Sequence, residues 1–224
     1  MPDERREEIM RAVYAALCAN GYARLTMQDI ADQSSLSKGA LHYHYDTKRD
    51  LLLAFLGHLY ERFVDRLEEA EAAAGDDPAD RLVALVDAAL VPPAKDDLRE
   101  FRTAMLEIKA QAPYEPAYRE RLADFDAYVH DRVESIVAEG IERERFSESI
   151  DPADAASFVV TAITGAHTRC AATGEPVGAT RRALAEYLAG LSADEGTDAD
   201  AGTVGTTAGD AGAGDGTEEE ALTR

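Results

Sequence analysis

The chain has 224 residues, 46% of them hydrophobic, and its 44 acidic against 23 basic residues give a net charge of −21. That length allows one large or two small domains with a sizeable apolar core, and two cysteines, Cys18 and Cys170, exclude a disulfide-built secreted scaffold. No apolar run is long enough to span a bilayer and no signal-peptide pattern is present, so a cytoplasmic protein with reduced, packed thiols and no membrane association is expected.

The charge is unevenly spread: residues 1–50 sum to −1 and the remaining 174 to −20. Two readings of the acidity compete. It is either an ordinary solvated surface or an adaptation to a salt-rich, halophilic cytoplasm. The second is favoured because only four of the 23 basic residues are lysine (Lys38, Lys48, Lys95, Lys109), and hydrated carboxylates stay soluble in concentrated salt.

The first predicted helix covers residues 4–20, with Ile9, Val13 and Leu17 on one stripe and Gly21 as its end. Thr26 with Asp29 approximates a capping box, so a short helix begins there and buries Met27, Ile30 and Ala31. Ser34-Ser35-Leu36-Ser37 reads as a turn, with Leu36 as an apolar plug and Ser37 as the next N-cap. In the helix that follows, Leu41 and Tyr45 share an inner face, whereas Gly39 and Tyr43 point outward, flanked by Ala40 and His42. A glycine in a first helical turn costs roughly 0.5–1 kcal/mol relative to alanine unless something must approach the backbone closely, and a DNA backbone is such an object. Lys38, His42, Tyr43 and His44 offer donors and a stacking surface to phosphates and base edges. Thr47, with Asp50, then caps a long helix and places Lys48 at its positive end.

Thr26-x-x-x-Ile30-Ala31, Ser37-x-Gly39, an aromatic helix end and Lys48-x-x-Leu51-Leu52 together resemble the DNA-binding domain of the TetR family of transcriptional regulators, in matching order and spacing from Arg5 to about Leu56. The chain departs at Ser34-Ser35-Leu36, where the family usually has Ala-Gly-Val, and at His42, where it usually has tyrosine. A slightly different turn is expected, since serine is less comfortable than glycine at positive φ, and Tyr43 is expected to take over the phosphate contact. The expected DNA-binding residues are Thr26, Ser37, Lys38, Gly39, Ala40, His42, Tyr43, His44 and Lys48.

Beyond Lys48 the stripe Leu51, Phe55, Leu59, Phe63, Leu67, Ala70 runs unbroken to Gly75, a lever of roughly 39 Å at about 1.5 Å per residue. Further helices are predicted over 80–91, 96–112, 116–143, 152–172 and 176–191, stopped by Pro92-Pro93, Pro113 and Gly174; strand alternation appears nowhere. The class is all-α: a helix-turn-helix domain over 1–50, a helical body over 51–192, and over 193–224 a disordered acidic tail of Gly, Ala, Thr, Asp and Glu that solubilises or competes with DNA for the head.

Phe101, Met105, Tyr118, Phe125 and Tyr128 lie at core-facing spacing with Ile108, Leu122 and Val129. They read as plain core or, as the resemblance implies, as the lining of a cavity for an apolar small-molecule inducer. No acidic residue falls plainly within these stripes, and His130 and His167 sit at their margins, where solvation is expected. Ala155, Ala156, Val159, Ile163, Ala166 and Cys170 form a small-residue stripe, with Leu184, Tyr187, Leu188 and Leu191 opposite. This pair either closes the monomer core or, as in the TetR family, forms half of a two-fold four-helix interface; Ala155, Val159, Ile163, Ala166, Leu184 and Leu188 are then the expected homodimer contacts. A two-fold dimer demands a near-palindromic operator on double-stranded DNA.

Nothing here resembles an enzyme, a cofactor site or a metal site: Gly-x-Gly occurs only in the tail, no Cys/His cluster has ligand spacing, and the acid pairs Asp76-Asp77 and Asp96-Asp97 sit at helix starts, where capping explains them. The leading expectation is a DNA-binding repressor released by an apolar ligand. The alternatives are a ligand-independent regulator and an acidic protein-binding adaptor.

Overall fold

The computed structural model describes residues 3–91 and 98–192. In chain order these fold into α1 (Asp3–Arg24), α2 (Met27–Asp32), α3 (Lys38–His44), α4 (Lys48–Ala73), α5 (Pro78–Leu90), α6 (Leu98–Lys109), α7 (Pro116–Glu142), α8 (Pro152–Thr173) and α9 (Gly178–Ala189). An isolated antiparallel bridge between Phe146 and Ser192 is the only extended pairing among the described residues. The predicted tail and the Pro92-Pro93 stop lie outside them.

Local hydrogen bonds set most helix starts. Thr26 and Asp29 make a complete capping box, Ser37 accepts from Ala40 N at 3.1 Å, Thr47 accepts from Asp50 N at 3.1 Å, Asp77 caps α5 through Ala79 N at 2.8 Å, and Asp151 caps α8 through Ala153 and Asp154. Each satisfies amide donors that a helix leaves open at its N-terminus. Gly174 ends α8 in the left-handed conformation. Gly21, expected to end the first helix, instead kinks it at φ 68°, and a further turn follows to Arg24.

The apolar residues gather in two clusters. In one, Ile9, Val13, Leu17, Leu25, Ile30 and Leu41 pack with Leu51, Leu52, Phe55 and Leu56 of α4, and the cluster is completed by Ala104, Ile108 and Tyr118. The core of the N-terminal helices is therefore closed by α6 and the start of α7, not by the first 56 residues alone. In the other, Leu67 of α4 joins α5, α7, α8 and α9, with Val133, Val137, Val159 and Leu184 near its centre. Gly140 has no Cβ because the Phe146 ring occupies that space, 2.0 Å from where the atom would sit.

At the surface of that second cluster, Glu71 of α4 is held by Arg81 of α5 at 2.7 Å and by Arg132 of α7 at 2.5 Å. Arg81 also reaches Glu139 at 2.6 Å. Burial pushes the Glu71 carboxyl up, but the two guanidinium groups outweigh it and hold the group below the ordinary carboxylate value. Four charges thus tie three helices without leaving one unpaired.

Candidate DNA interface and ligand cavity

α2, the turn and α3 form a helix-turn-helix whose second helix stands out from the body. Leu41 is fully buried beneath it, while Lys38, Gly39, His42, Tyr43 and His44 are exposed and Ala40 is half-buried. Tyr43 is 86% exposed, a large solvent contact for an aromatic ring, and packs edge-on against His44. Apart from Ser37 Oγ at 3.8 Å, nothing in the chain lies within 4 Å of a Cβ built on Gly39. The monomer itself gives no steric reason for that glycine.

The turn avoids positive φ, as expected for serine in place of glycine: among the described residues Glu144 is the one non-glycine with positive φ. Polar contacts hold it instead. Ser34 Oγ donates to Ala31 O at 3.2 Å and accepts from Leu36 N at 3.1 Å, and Glu8 of α1 accepts from Ser35 N at 2.8 Å. The Ser35 hydrogen bonds, aided by Arg5 and Arg11, keep the Glu8 carboxyl below its ordinary value. Sequence reading missed Glu8 because its partner is 27 residues away.

Lys48, expected to face phosphate, is half-buried and donates to Tyr22 O at 3.2 Å with its ammonium 4.8 Å from the Tyr22 ring centre. Burial lowers its pKa. Its charge braces the kinked end of α1. Thr26 and Ser37 are likewise spent on capping, Thr26 Oγ1 donating to Asp29 Oδ2 at 2.7 Å.

A cavity of about 500 Å³ opens among α4, α5, α6, α7 and α8. Of the residues expected there, Phe101, Met105 and Phe125 line it, with Leu122, Val129 and Ile163. Tyr118 and Tyr128 do not. Tyr118 is 1% exposed and packs edge-on against Tyr22 in the N-terminal core, and Tyr128 sits outside the cavity against Tyr60 and Glu68. Two further expectations need correction. Asp126 lies in the cavity wall, and His167 is half-buried there, with Nε2 on Leu90 O at 3.1 Å. Because a carbonyl accepts there, Nε2 carries the proton; burial, reinforced by nearby cations, lowers the His167 pKa. Arg66, Arg102, Lys109 and Arg119 complete the charged part of the wall. Arg102, Met105 and Lys109 recur at helical spacing, which is the signal that could have placed the two cations beside the apolar stripe.

The expected dimer contacts Ala155, Val159, Ile163, Ala166, Leu184 and Leu188 are all buried inside the chain's own core. In the monomer they face inward, because the small-residue stripe lets α8 approach its neighbours within the chain. The opposite face of α8 and α9 is open: Phe158 is 49% exposed and packs at a tilt on Tyr187 with ring centres 4.5 Å apart, beside exposed Thr161, Gly165 and Ala183. Elsewhere on the surface His130, Asp131 and Glu134 bring possible ligand atoms within 4.8 Å of one another, on an open helix face.

A helix-turn-helix head with an exposed second helix, seated on a helical body that encloses a ligand-sized cavity, defines the class of two-part DNA-binding regulators. Residues 9–55 match the family described as bacterial regulatory proteins, tetR family, and residues 78–193 match the BetI-type transcriptional repressor C-terminal family. The chain belongs to the TetR family of transcriptional regulators, whose members are non-enzymatic DNA-binding proteins. It is 37% identical to a TetR transcription regulator from Haloarcula marismortui, with a TM-score of 0.77, over 85% of this chain and all of that one. It is 34% identical over 83 residues to the regulator BetI of Stenotrophomonas maltophilia, a match spanning 37% of this chain and 42% of that protein, less than half its length. A transcriptional regulator from Saccharomonospora viridis, determined in complex with choline, shares the fold at 24% identity and a TM-score of 0.72, over 84% of this chain and 96% of that one. Among the described residues no helix is long and apolar enough to cross a membrane.

Proposed function

We propose that this protein is a homodimeric transcriptional repressor that reads a near-palindromic operator with α3 and releases it when an effector fills the cavity. The observation that carries the first half is the exposed face of α3: four residues suited to phosphates and base edges, Lys38, His42, Tyr43 and His44, are held outward over a buried Leu41, with an unexplained Gly39 at the approach. The cavity supports the second half, because α6 both lines it and hydrogen-bonds the kink of α1. An effector that moves α6 would shift the head only through a difference in affinity between two arrangements.

In the dimer the outer face of α8 and α9, centred on Phe158 and Tyr187, is the seam. The two α3 helices then lie roughly 34 Å apart, or a small multiple of that, to enter successive major grooves. The acidic, lysine-poor surface suits a salt-rich cytoplasm, where counterion release is a weak driving force and base contacts and shape carry more of the affinity.

Gel-shift and footprinting on the DNA upstream of the protein's own gene test this reading. Gly39→Ala removes a first-turn glycine that no neighbour requires, so the fold holds or gains stability while operator affinity drops about tenfold or more. Undiminished binding by Gly39→Ala, Lys38→Glu and Tyr43→Ala together would overturn α3 as the reader.

A further inference from the structure

The cavity wall is basic in a chain that is strongly acidic. Arg66, Arg102, Lys109 and Arg119 line it against one carboxylate, Asp126, although acids outnumber bases 44 to 23 in the chain as a whole. Elsewhere basic side chains take up those acids, as in Arg6 with Glu61, Arg49 with Glu115 and Arg181 with Asp87. Among the described residues none of the four cavity cations makes an ion pair.

What they do contact is weak. Arg102 donates to Cys170 Sγ at 3.1 Å, a poor acceptor for a guanidinium. Arg66 places its Nε on Ala88 O at 3.2 Å and lies over the Phe63 ring. Lys109 has no hydrogen-bond acceptor among the described residues, and Asp126 takes a bond at 3.5 Å from Thr164 instead. Three of these cations, Arg66 of α4 with Arg102 and Lys109 of α6, line the same cavity as half-buried His167 of α8, where burial lowers the His167 pKa, the Leu90 hydrogen bond opposes it and the three cations add to the lowering. Like charges lining one partly dehydrated cavity repel one another more strongly than they would in water, and an anion placed among them would relieve that repulsion. The opposite wall is apolar and aromatic, with Phe101, Met105, Phe125 and Val129.

We propose that the cavity binds an amphipathic organic anion, its carboxylate or phosphate head at His167 among Arg66, Arg102 and Lys109, and its apolar body against Phe101, Met105, Phe125 and Val129. This assignment rests on the cavity being the effector site and supplies the sign of the effector's charge. Charge-assisted hydrogen bonds from guanidinium and ammonium groups hold the head; His167 keeps its Nε2 proton on Leu90 O, and an anion beside the ring favours a second proton at Nδ1, which turns that nitrogen from an acceptor into a donor to the head. A cationic ligand would meet three positive groups and a single carboxylate, Asp126, on which the Lys109 charge already acts.

The test compares four eight-carbon probes on the full chain by calorimetry: octanoate, octyl phosphate, octanol and octyltrimethylammonium. One or both anions should bind about tenfold or more tightly than octanol, and the cation more weakly still; the stronger anion identifies the head group. Arg102→Gln and Lys109→Gln should each remove most of that preference without changing octanol binding, and Asp126→Asn should tighten the anions. Tighter binding of octyltrimethylammonium, weakened by Asp126→Asn, would overturn the anion assignment while leaving an effector cavity. Absence of binding by all four, in wild type and in Asp126→Asn, would overturn it as well. If the anions bind as expected but operator affinity is unchanged, the site stands and the effector reading falls.

Discussion

Glu107 Oε2 accepts the backbone N–H of Tyr22 at 2.6 Å and that of Ala23 at 3.3 Å. A carboxylate from α6 thereby satisfies the amides exposed where α1 kinks at Gly21, and Lys48 of α4 takes the carbonyl of the same Tyr22 at 3.2 Å. The helix that lines the cavity and the helix that follows the recognition helix thus converge on one residue of α1.

Glu107→Ala leaves those two amides without their acceptor and should cost about 1–3 kcal/mol in thermal or denaturant unfolding. Gly21→Ala should cost about 1 kcal/mol or more, since φ is 68° and the added Cβ would stand 3.0 Å from Glu107 Oε2. If Glu107 also couples cavity to head, an effector should release operator DNA less completely from Glu107→Ala than from wild type, as measured by gel shift at saturating ligand. Equal release would leave Glu107 a purely stabilising contact.

The Glu71 cluster with Arg81 and Arg132 carries a pH signature. Its pKa lies below the ordinary 4.5, so its stabilising contribution is fully present above that value and is lost as pH falls through the lower folded-state pKa. Acid should therefore destabilise wild type more steeply below about pH 4.5 than Glu71→Gln, in melts followed by circular dichroism. At neutral pH the same substitution should cost about 2–3 kcal/mol, below the full buried-pair figure because Arg132 reaches solvent. Parallel pH profiles would remove the carboxylate from the account.

Phe158→Glu places a charge on the outer face of α8 without touching the core, because Phe158 is 49% exposed. Sedimentation should show a monomer that keeps its helical spectrum and loses operator binding about tenfold or more, as two half-sites are no longer held together. A dimer persisting in this variant would move the seam elsewhere. Val159→Glu, aimed at the inner stripe, should instead unfold the chain, since Val159 is fully buried.

A net charge of −21 makes salt the simplest perturbation. The Debye length grows from about 3 Å at 1 M to about 30 Å at 0.01 M, so desalting should expose the self-repulsion of the acidic surface and lower the helical signal at 222 nm. A spectrum unchanged by dialysis into low salt would favour an ordinary solvated surface.

Much of the head was legible before any tertiary structure, because its determinants are local. A cap needs an oxygen within about three residues of the amides it satisfies, so Thr26, Ser37 and Thr47 could be placed from spacing alone, and the inward Leu41 and outward Tyr43 follow from helical periodicity. The stripes of α6 and α7 were legible as apolar surfaces in the same way. What faces each stripe was not. Tyr118 and Phe125 share a helix and an aromatic character, yet one fills the N-terminal core and the other lines the cavity.

The sequence by itself therefore determined the helices, their caps and the chemistry displayed on α3, since each depends on hydrogen bonds and periodicities within a turn or two of chain. Only the tertiary structure decided that Lys48 braces Tyr22, that the small-residue stripe of α8 turns inward and leaves Phe158 outside, and that Arg66, Arg102 and Lys109 line one cavity with His167. Those relationships join residues 26 to about 100 positions apart, and they arise from helix crossings that spacing along one chain segment does not encode.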